Sequence, residues 1–343
     1  MSWGSIRGHD EIVEQLRTAL ESGRFPHALL FVGPEGIGKK LFAIRLAQSL
    51  LCQKRTPELL DPCGACHGCV QVQGGTHPDL LMAAKPEDRL EFPIAPIRQL
   101  CMDLGLKPMN GDRRIAIIDD ADDFNDEAAN AFLKTLEEPP SGALLILIGT
   151  SPELQLDTIL SRCRVVPFRA LSEGDLMQVL LDREVAKTPA EAERLAKLAE
   201  GSVRRAIGMS DASFSAFRRE LIDIVGHANG FDAPGLARRI DAYVKDAGKD
   251  AGPKRQRACL AFGELARLFR AVLWQTAGVE PPASDPRDRQ AIHNLAQRLE
   301  PEDVFILADR CITADYQVNR MLYLPSVLDA LTHDLGKRIN ARR

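Results

Sequence analysis

Aromatic residues make up only 5% of the 343 positions, and no apolar run approaches the roughly 20 residues that a bilayer-spanning helix requires. No membrane role is expected. A basic excess is also missing: 44 Lys and Arg stand against 48 Asp and Glu, a formal net charge of −4. Proteins that coat nucleic acid by charge alone carry a marked positive surplus, so any contact with DNA has to be local. Met1 to Gly8 has no basic and apolar run followed by small residues, so no secretory signal is expected and the chain is assigned to the cytoplasm. Internal repeats and low-complexity tails are lacking as well, which excludes a solenoid.

What remains is the composition of a globular protein, with 45% hydrophobic and 27% charged residues. The length implies two or three domains, and three are expected. From Ala28 to about Phe168, apolar strand-like runs alternate with helical patterns. The runs are Ala28 to Val32, Leu80 to Met82, Ile115 to Ile118, Leu144 to Ile148 and Val165 to Phe168, with helices starting at Lys39 and Asn125. That alternation predicts an α/β domain over 1–168, a parallel sheet with helices on both faces. Strand text then stops. Ser172 with Asp175, Thr188 with Pro189 and Glu191, a stop at Gly201 and a cap at Ser202 predict a small three-helix unit over 169–211. From 212 to 343 the text is helical, including Phe214 to Val225, Pro234 to Val244, Arg257 to Thr276 and Pro301 to Ala314. Val279 to Pro286, with three prolines, reads as a surface loop.

Gly33-Pro-Glu-Gly36-Ile-Gly38-Lys39-Lys40 lies between the first strand and the helix Leu41 to Leu51, the context of a phosphate-binding P-loop. Glycines let backbone N–H groups close around phosphate, the helix N-terminus adds partial positive charge, and Lys39 is placed to reach the outer phosphates. The residue after that lysine should be Ser or Thr, whose hydroxyl holds Mg²⁺. Here it is Lys40, whose ammonium has no lone pair and repels a dication. The strand Ile115 to Ile118 ends in Asp119-Asp120, where active ring ATPases carry Asp-Glu; the shorter Asp120 leaves its carboxylate short of a water it would have to orient. Both departures predict a poor Mg-ATP site and no ATPase activity of the chain's own. Asp119 and Asp120 simply ending a strand in solvent is the alternative.

Cys52-x10-Cys63-x2-Cys66-x2-Cys69 gathers four of the eight cysteines around Pro62, Gly64 and Gly68. Four thiolates suit a closed tetrahedral Zn²⁺ site of structural type. An iron-sulfur cluster or plain buried thiols are the alternatives, and His67 is a competing ligand. The scattered Cys101, Cys163, Cys259 and Cys311 read as buried thiols of a reducing compartment. Ser161-Arg162-Cys163 sits near a domain edge, where an arginine either makes a surface ion pair or reaches across an interface to phosphate. Arg204 and Arg205 occupy the first turn of a helix, where the dipole disfavours cations and something anionic has to compensate, a phosphate or an acidic neighbour. Thr150 and Ser151, after an apolar run, either sense phosphate or end the strand.

Taken together, Phe25-Pro-His-Ala-Leu-Leu-Phe, the loop Gly33 to Lys40, the cysteine module, Asp119-Asp-Ala-Asp, Asn130-Ala-Phe-Leu-Lys-Thr-Leu-Glu-Glu-Pro-Pro140 and Ser161-Arg-Cys resemble the clamp-loader branch of the AAA+ proteins. The resemblance covers Gly8 to about Ile207 by motif and the rest by length and helical character. It implies an AAA+ domain with a zinc module at about 52–69, a helical lid, and a helical collar that joins a ring. Motor subunits of that family, tau and gamma, keep the P-loop threonine and the Asp-Glu pair, and this chain has neither. The resemblance therefore implies a stator in a hetero-pentamer with delta and tau/gamma subunits, part of the DNA polymerase III holoenzyme, a DNA-directed DNA polymerase and nucleotidyltransferase complex. It implies Arg162 as an arginine finger acting on the neighbour's ATP, Cys52, Cys63, Cys66 and Cys69 as zinc ligands, and a beta sliding clamp loaded on primed DNA by the whole complex. Gly33, Gly36, Gly38, Lys39, Lys40, Asp119, Asp120, Thr150 and Arg204 would form a degenerate nucleotide site where ATP/Mg²⁺ binding is weak or absent. The competing readings are an ATP-hydrolysing motor subunit and a free-standing zinc-containing nucleic-acid binder.

Overall fold

The structure, a computed structural model, describes residues 3, 6–86, 89, 91–227, 230–281 and 286–341. It divides into two compact units, Met1–Ala206 and Ile207–Arg343. Among the described residues no helix is long and apolar enough to cross a membrane.

The first unit is built on five parallel strands: β1 (Ala28–Val32), β2 (Leu80–Ala83), β3 (Arg114–Ile118), β4 (Ala143–Ile148) and β5 (Arg164–Pro167), in the order β2-β3-β4-β1-β5. The helices are α1 (Asp10–Glu21), α2 (Lys39–Leu50), α3 (His67–Gln73), α4 (Ile94–Leu104), α5 (Asp126–Glu137), α6 (Asp157–Leu160), α7 (Glu173–Asp182) and α8 (Pro189–Ala199), and α9 (Val203–Ser210) begins in it. Successive residues of a strand face opposite sides, and both sides here are apolar. Leu29, Phe31, Ile115, Ile117, Leu144 and Ile146 pack with α1 and α2 residues such as Leu16, Phe42 and Leu46. Ala28, Leu30, Ala116, Ile118, Leu145 and Leu147 pack with α4, α5 and α6 residues, among them Ile97, Leu100, Phe132, Leu136 and Ile159. All five residues of β1 and of β3 are buried, which is why their text reads as continuous apolar runs and not as alternation.

Strand boundaries match the sequence expectation to within one residue, and α2 opens at Lys39 as expected. The segment between Met82 and Ile115 carried no expected element, yet holds α4. Its apolar residues Ile94, Ile97, Leu100 and Leu104 recur at helical spacing after Pro93, although Pro96 interrupts the text. The capping predictions hold in detail. Ser172 Oγ accepts from Asp175 N at 3.1 Å and Thr188 Oγ1 from Glu191 N at 3.2 Å. Asn125 Oδ1 accepts from Ala128 N at 2.8 Å, and Glu200 and Gly201 turn left-handed to end α8.

The second unit is all-helical: α10 (Ala212–Val225), α11 (Ala233–Lys245), α12 (Ala251–Thr276), α13 (Pro286–Ala296), α14 (Pro301–Asn319) and α15 (Leu324–Asn340). α12 is the central element, packed on α13 and α14 and buried through Phe262, Leu265, Leu268 and Phe269. It starts six residues before the expected Arg257, and α14 runs five beyond Ala314. Residues 282–285 of the expected loop 279–286 lie outside the described residues, and Pro286 opens α13.

Candidate functional site

In this sheet order the chain leaves β1, passes over β4 and β3 to β2, and returns, so the carboxyl ends of β1, β3 and β4 open on one crevice. The P-loop leaves β1 there, Asp119 follows β3 and Thr150 follows β4. Gly38 caps α2 with a left-handed φ of 103°, and Gly36 has a φ of 74°.

The loop satisfies itself. Lys39, buried, donates from Nζ to the Gly33 carbonyl and, at 2.7 Å, to the Pro34 carbonyl. Burial pulls its pKa below the ordinary lysine range, while Glu35, Asp122, Asp119 and Asp120 pull the other way. Lys40 Nζ lies 3.1 Å from Asp119 Oδ2. In a working P-loop the hydroxyl after the lysine and the carboxylate after β3 share the metal; here an ammonium stands against that carboxylate. Asp120 sits in a left-handed turn at a φ of 60°, and its carboxyl is pushed up to about 6, first by burial and then by Asp119.

The remaining polar residues each have a partner. Asp122 accepts from Thr150 N and Oγ1, both at 2.6 Å, and from Gln155 Nε2, so the Thr150 hydroxyl is turned onto a carboxylate. Arg204 meets Glu35 at 3.4 Å and Arg205 meets Glu200 at 2.9 Å, supplying the anionic compensation that the start of α9 calls for. The loop is also held by backbone: Val203 N donates to the Gly36 carbonyl at 2.9 Å and Ser202 Oγ to the Glu35 carbonyl at 2.9 Å. A Cβ on Gly36 would lie 2.4 Å from Arg204 Cβ and 2.5 Å from Ser202 Oγ.

The Arg162 side chain is about a third exposed. Its Nη2 donates to Glu137 Oε1 at 2.6 Å, and its Nη1 donates to the Thr158 carbonyl at 2.9 Å and to Ser161 Oγ at 3.0 Å. Glu137 belongs to the Leu-Glu-Glu-Pro-Pro run, but nothing in its spacing marked it as the arginine's partner. Asp122 was visible only as part of Asp119-Asp-Ala-Asp.

The four cysteines converge from the end of α2, the following loop and the start of α3. Their sulfurs all lie within 4.8 Å of one another, with Cys52 to Cys66 at 4.0 Å and Cys63 to Cys69 at 3.9 Å. Tetrahedral Zn²⁺ with bonds of about 2.3 Å places its sulfurs about 3.8 Å apart, so the set fits that ion. His67 is not part of the group. Cys66 N donates to Cys63 Sγ at 3.3 Å and Cys69 N to Cys66 Sγ at 3.4 Å, bonds that favour thiolate. Backbone donors from Ala65 and Cys66 bring the Cys63 thiol down to about 6, whereas burial pushes Cys69 up. Thiolates gathered this closely repel one another, and a bound cation would relieve that repulsion.

A five-stranded parallel sheet in this order, a glycine loop after its first strand and an acidic pair after its third define an AAA+ P-loop domain, followed in the chain by an all-helical region. Residues 8–172 match the family described as DNA polymerase III, delta subunit. The chain is 32% identical to the delta′ subunit of DNA polymerase III from Bacillus subtilis over 65% of this chain and 66% of that protein. It is 37% identical to the delta′ subunit from Pseudomonas aeruginosa over 51% of this chain and 53% of that one. The tau subunit from Escherichia coli is 31% identical over 63% of this chain and 33% of its own length. The chain thus spans just under two thirds of the first of these relatives and a third of the last. The likeness covers residues 8–172 by family model, and the relatives it runs to are DNA polymerase III subunits of both the delta′ and the tau kind.

Proposed function

We propose that the chain is the stator of a bacterial clamp loader, a subunit with an AAA+ domain over 1–168, a lid over 169–211 and a collar over 212–343 that does not turn over ATP itself. The observation that carries this reading is the Lys40–Asp119 pair, 3.1 Å apart, at the place where a nucleotide-bound Mg²⁺ would be held. Lys39 turned onto its own loop and Thr150 turned onto Asp122 support it. Nucleotide binding here is weak or absent, and Zn²⁺ held by Cys52, Cys63, Cys66 and Cys69 is structural, since four thiolates leave no open position.

Arg162 is the residue that acts elsewhere. In the assembled ring its guanidinium meets the developing charge on the ATP of an adjacent tau/gamma subunit, and it is held for that by acceptors at the end of α5 and along α6. On α14, Phe305, Ile312 and Tyr316 recur at helical spacing and are 60–62% exposed, an apolar stripe suited to a collar packed against other subunits. Partners are tau/gamma and delta, with the beta clamp and primed DNA met through the complex in the cytoplasm. A reconstituted complex carrying Arg162→Ala tests this: ATPase should fall by roughly 10³ to 10⁵, as for other arginine fingers, with assembly intact on a sizing column. Lost assembly with normal ATPase per complex would make Arg162 a packing residue. Turnover of ATP by the isolated chain would return it to the motor subunits.

A further inference from the structure

Helix α2 carries the P-loop at its start and ends two residues before Cys52, so one rigid element joins the loop to the cysteine module. The face it turns to that module is polar. Arg45, Gln48 and Ser49 are 6%, 4% and 2% exposed, a costly set to bury unless each is satisfied. The single Ser49 hydroxyl proton has two carbonyl acceptors in reach, Leu60 at 3.1 Å and Arg45 at 3.0 Å. Gln48 Nε2 donates to the Cys69 carbonyl at 2.8 Å, and Arg45 Nη1 donates to Gln48 Oε1. A guanidinium is thereby tied through one side chain to the backbone of a metal ligand.

Groups whose negative charge acts on Arg45 include Cys69, when it is a thiolate, and Asp61, which is paired with Arg55 at the surface. Four thiolates around a dication leave two net negative charges, which a low-dielectric surrounding penalises unless a cation or donors offset them. The N–H groups of Cys66 and Cys69 offset part of this charge.

We propose that Arg45 is a positioning residue of the metal site, its buried guanidinium offsetting the charge of the metal-loaded thiolates while Gln48 fastens the module to the P-loop helix. The proposal rests on the reading of the four cysteines as a zinc site, and its test separates the two. Wild type, Arg45→Met, Arg45→Gln and Arg45→Lys would be purified as full chains. Bound zinc would be measured by elemental analysis, affinity by competition for Zn²⁺ against a chromogenic chelator, and thiolate geometry by the absorption bands of the Co²⁺ form. Arg45→Met, or Arg45→Gln should the first not fold, is expected to weaken Zn²⁺ binding about 10- to 100-fold, the usual effect of losing an outer-shell partner, with the Co²⁺ bands unchanged in shape. Arg45→Lys, which keeps the charge, should recover most of that loss. Zn²⁺ affinity of the folded neutral variants within twofold of wild type overturns the role given to Arg45, and so does a lysine variant as weak as the methionine one. A wild-type chain that takes up no zinc overturns the metal site itself.

Discussion

Replacing Lys40 by threonine should raise the Mg²⁺-dependent affinity of the isolated chain for ATP. Lys40 Nζ stands 3.1 Å from Asp119 Oδ2, so a dication shared with that carboxylate would meet the ammonium at roughly 4 Å. Two unit charges at that separation interact by about 1 kcal/mol in bulk water and about 4 kcal/mol at an effective dielectric of 20; against a divalent ion these become about 2 and about 8 kcal/mol. The Lys40 side chain is 49% exposed, which places the repulsion in the lower half of that range. About 2 to 4 kcal/mol corresponds to roughly 30- to 1000-fold in affinity. Binding must also break the hydrogen bonds of Lys39 to the loop carbonyls, a cost common to wild type and variant that cancels in their ratio. The assay is titration of a fluorescent ATP analogue in Mg²⁺ and in EDTA. Lys40→Met serves as the control that removes charge without supplying a hydroxyl. Lys40→Thr should bind at least about 30-fold tighter in Mg²⁺ and no tighter in EDTA, without turnover, because Asp120 is unchanged. Equal affinity of wild type and Lys40→Thr in Mg²⁺ would refute the electrostatic account of the degenerate site.

Gly36→Ala should lower stability by about 1 to 3 kcal/mol in a denaturant titration, since it forces a methyl against Arg204 and Ser202 at a φ of 74°; an unchanged midpoint would mean that α9 does not sit on the loop in solution. In the second unit, Glu264 is buried between Arg218, at 3.0 Å, and Arg267, with Arg218 also 2.6 Å from Asp288. Glu264→Ala removes the buried carboxylate from between the two guanidinium groups and should cost up to about 3 to 5 kcal/mol, whereas a loss below 1 kcal/mol by calorimetry would show the network to be solvated. Asp120 holds its proton more tightly in the folded chain than an ordinary carboxyl does, at about 6. Its contribution is therefore most favourable at low pH and is lost as pH rises through that window. Asp120→Asn should melt at a higher temperature than wild type at pH 8 by a small margin, since solvent reaches the site, and the gap should close below pH 4. A gap independent of pH would show that the carboxyl does not titrate there.

Much of the sheet was legible because a strand buried on both faces has no choice of composition: Ala28 to Val32 and Ile115 to Ile118 must be apolar throughout, and the turns that follow must carry the polar residues. Helix starts at Ser172, Thr188 and Asn125 were legible because capping is a local interaction over three residues. Helix lengths were less so. α12 begins in Ala-Gly-Pro-Lys text whose low propensity hid its start, although a proline in the first turn is compatible with a helix. α4 was missed because two prolines flank and interrupt its start, and its apolar spacing was too short to stand out alone.

The sequence by itself determined where the residue types depart from an intact P-loop site and where the cysteines cluster. A lysine in place of the metal-binding hydroxyl and an aspartate in place of a glutamate are departures of residue type, and Cys-x2-Cys-x2-Cys with a fourth cysteine is a spacing; neither needs coordinates to be read. Tertiary structure decided what those residues do with one another. That Lys40 faces Asp119, Thr150 faces Asp122, Arg162 faces Glu137 and Arg45 reaches the cysteine module through Gln48 depends on side chains brought together from separate strands and helices. Such pairings form where the carboxyl ends of parallel strands converge and where a helix end meets a folded loop, and sequence distance carries no record of them.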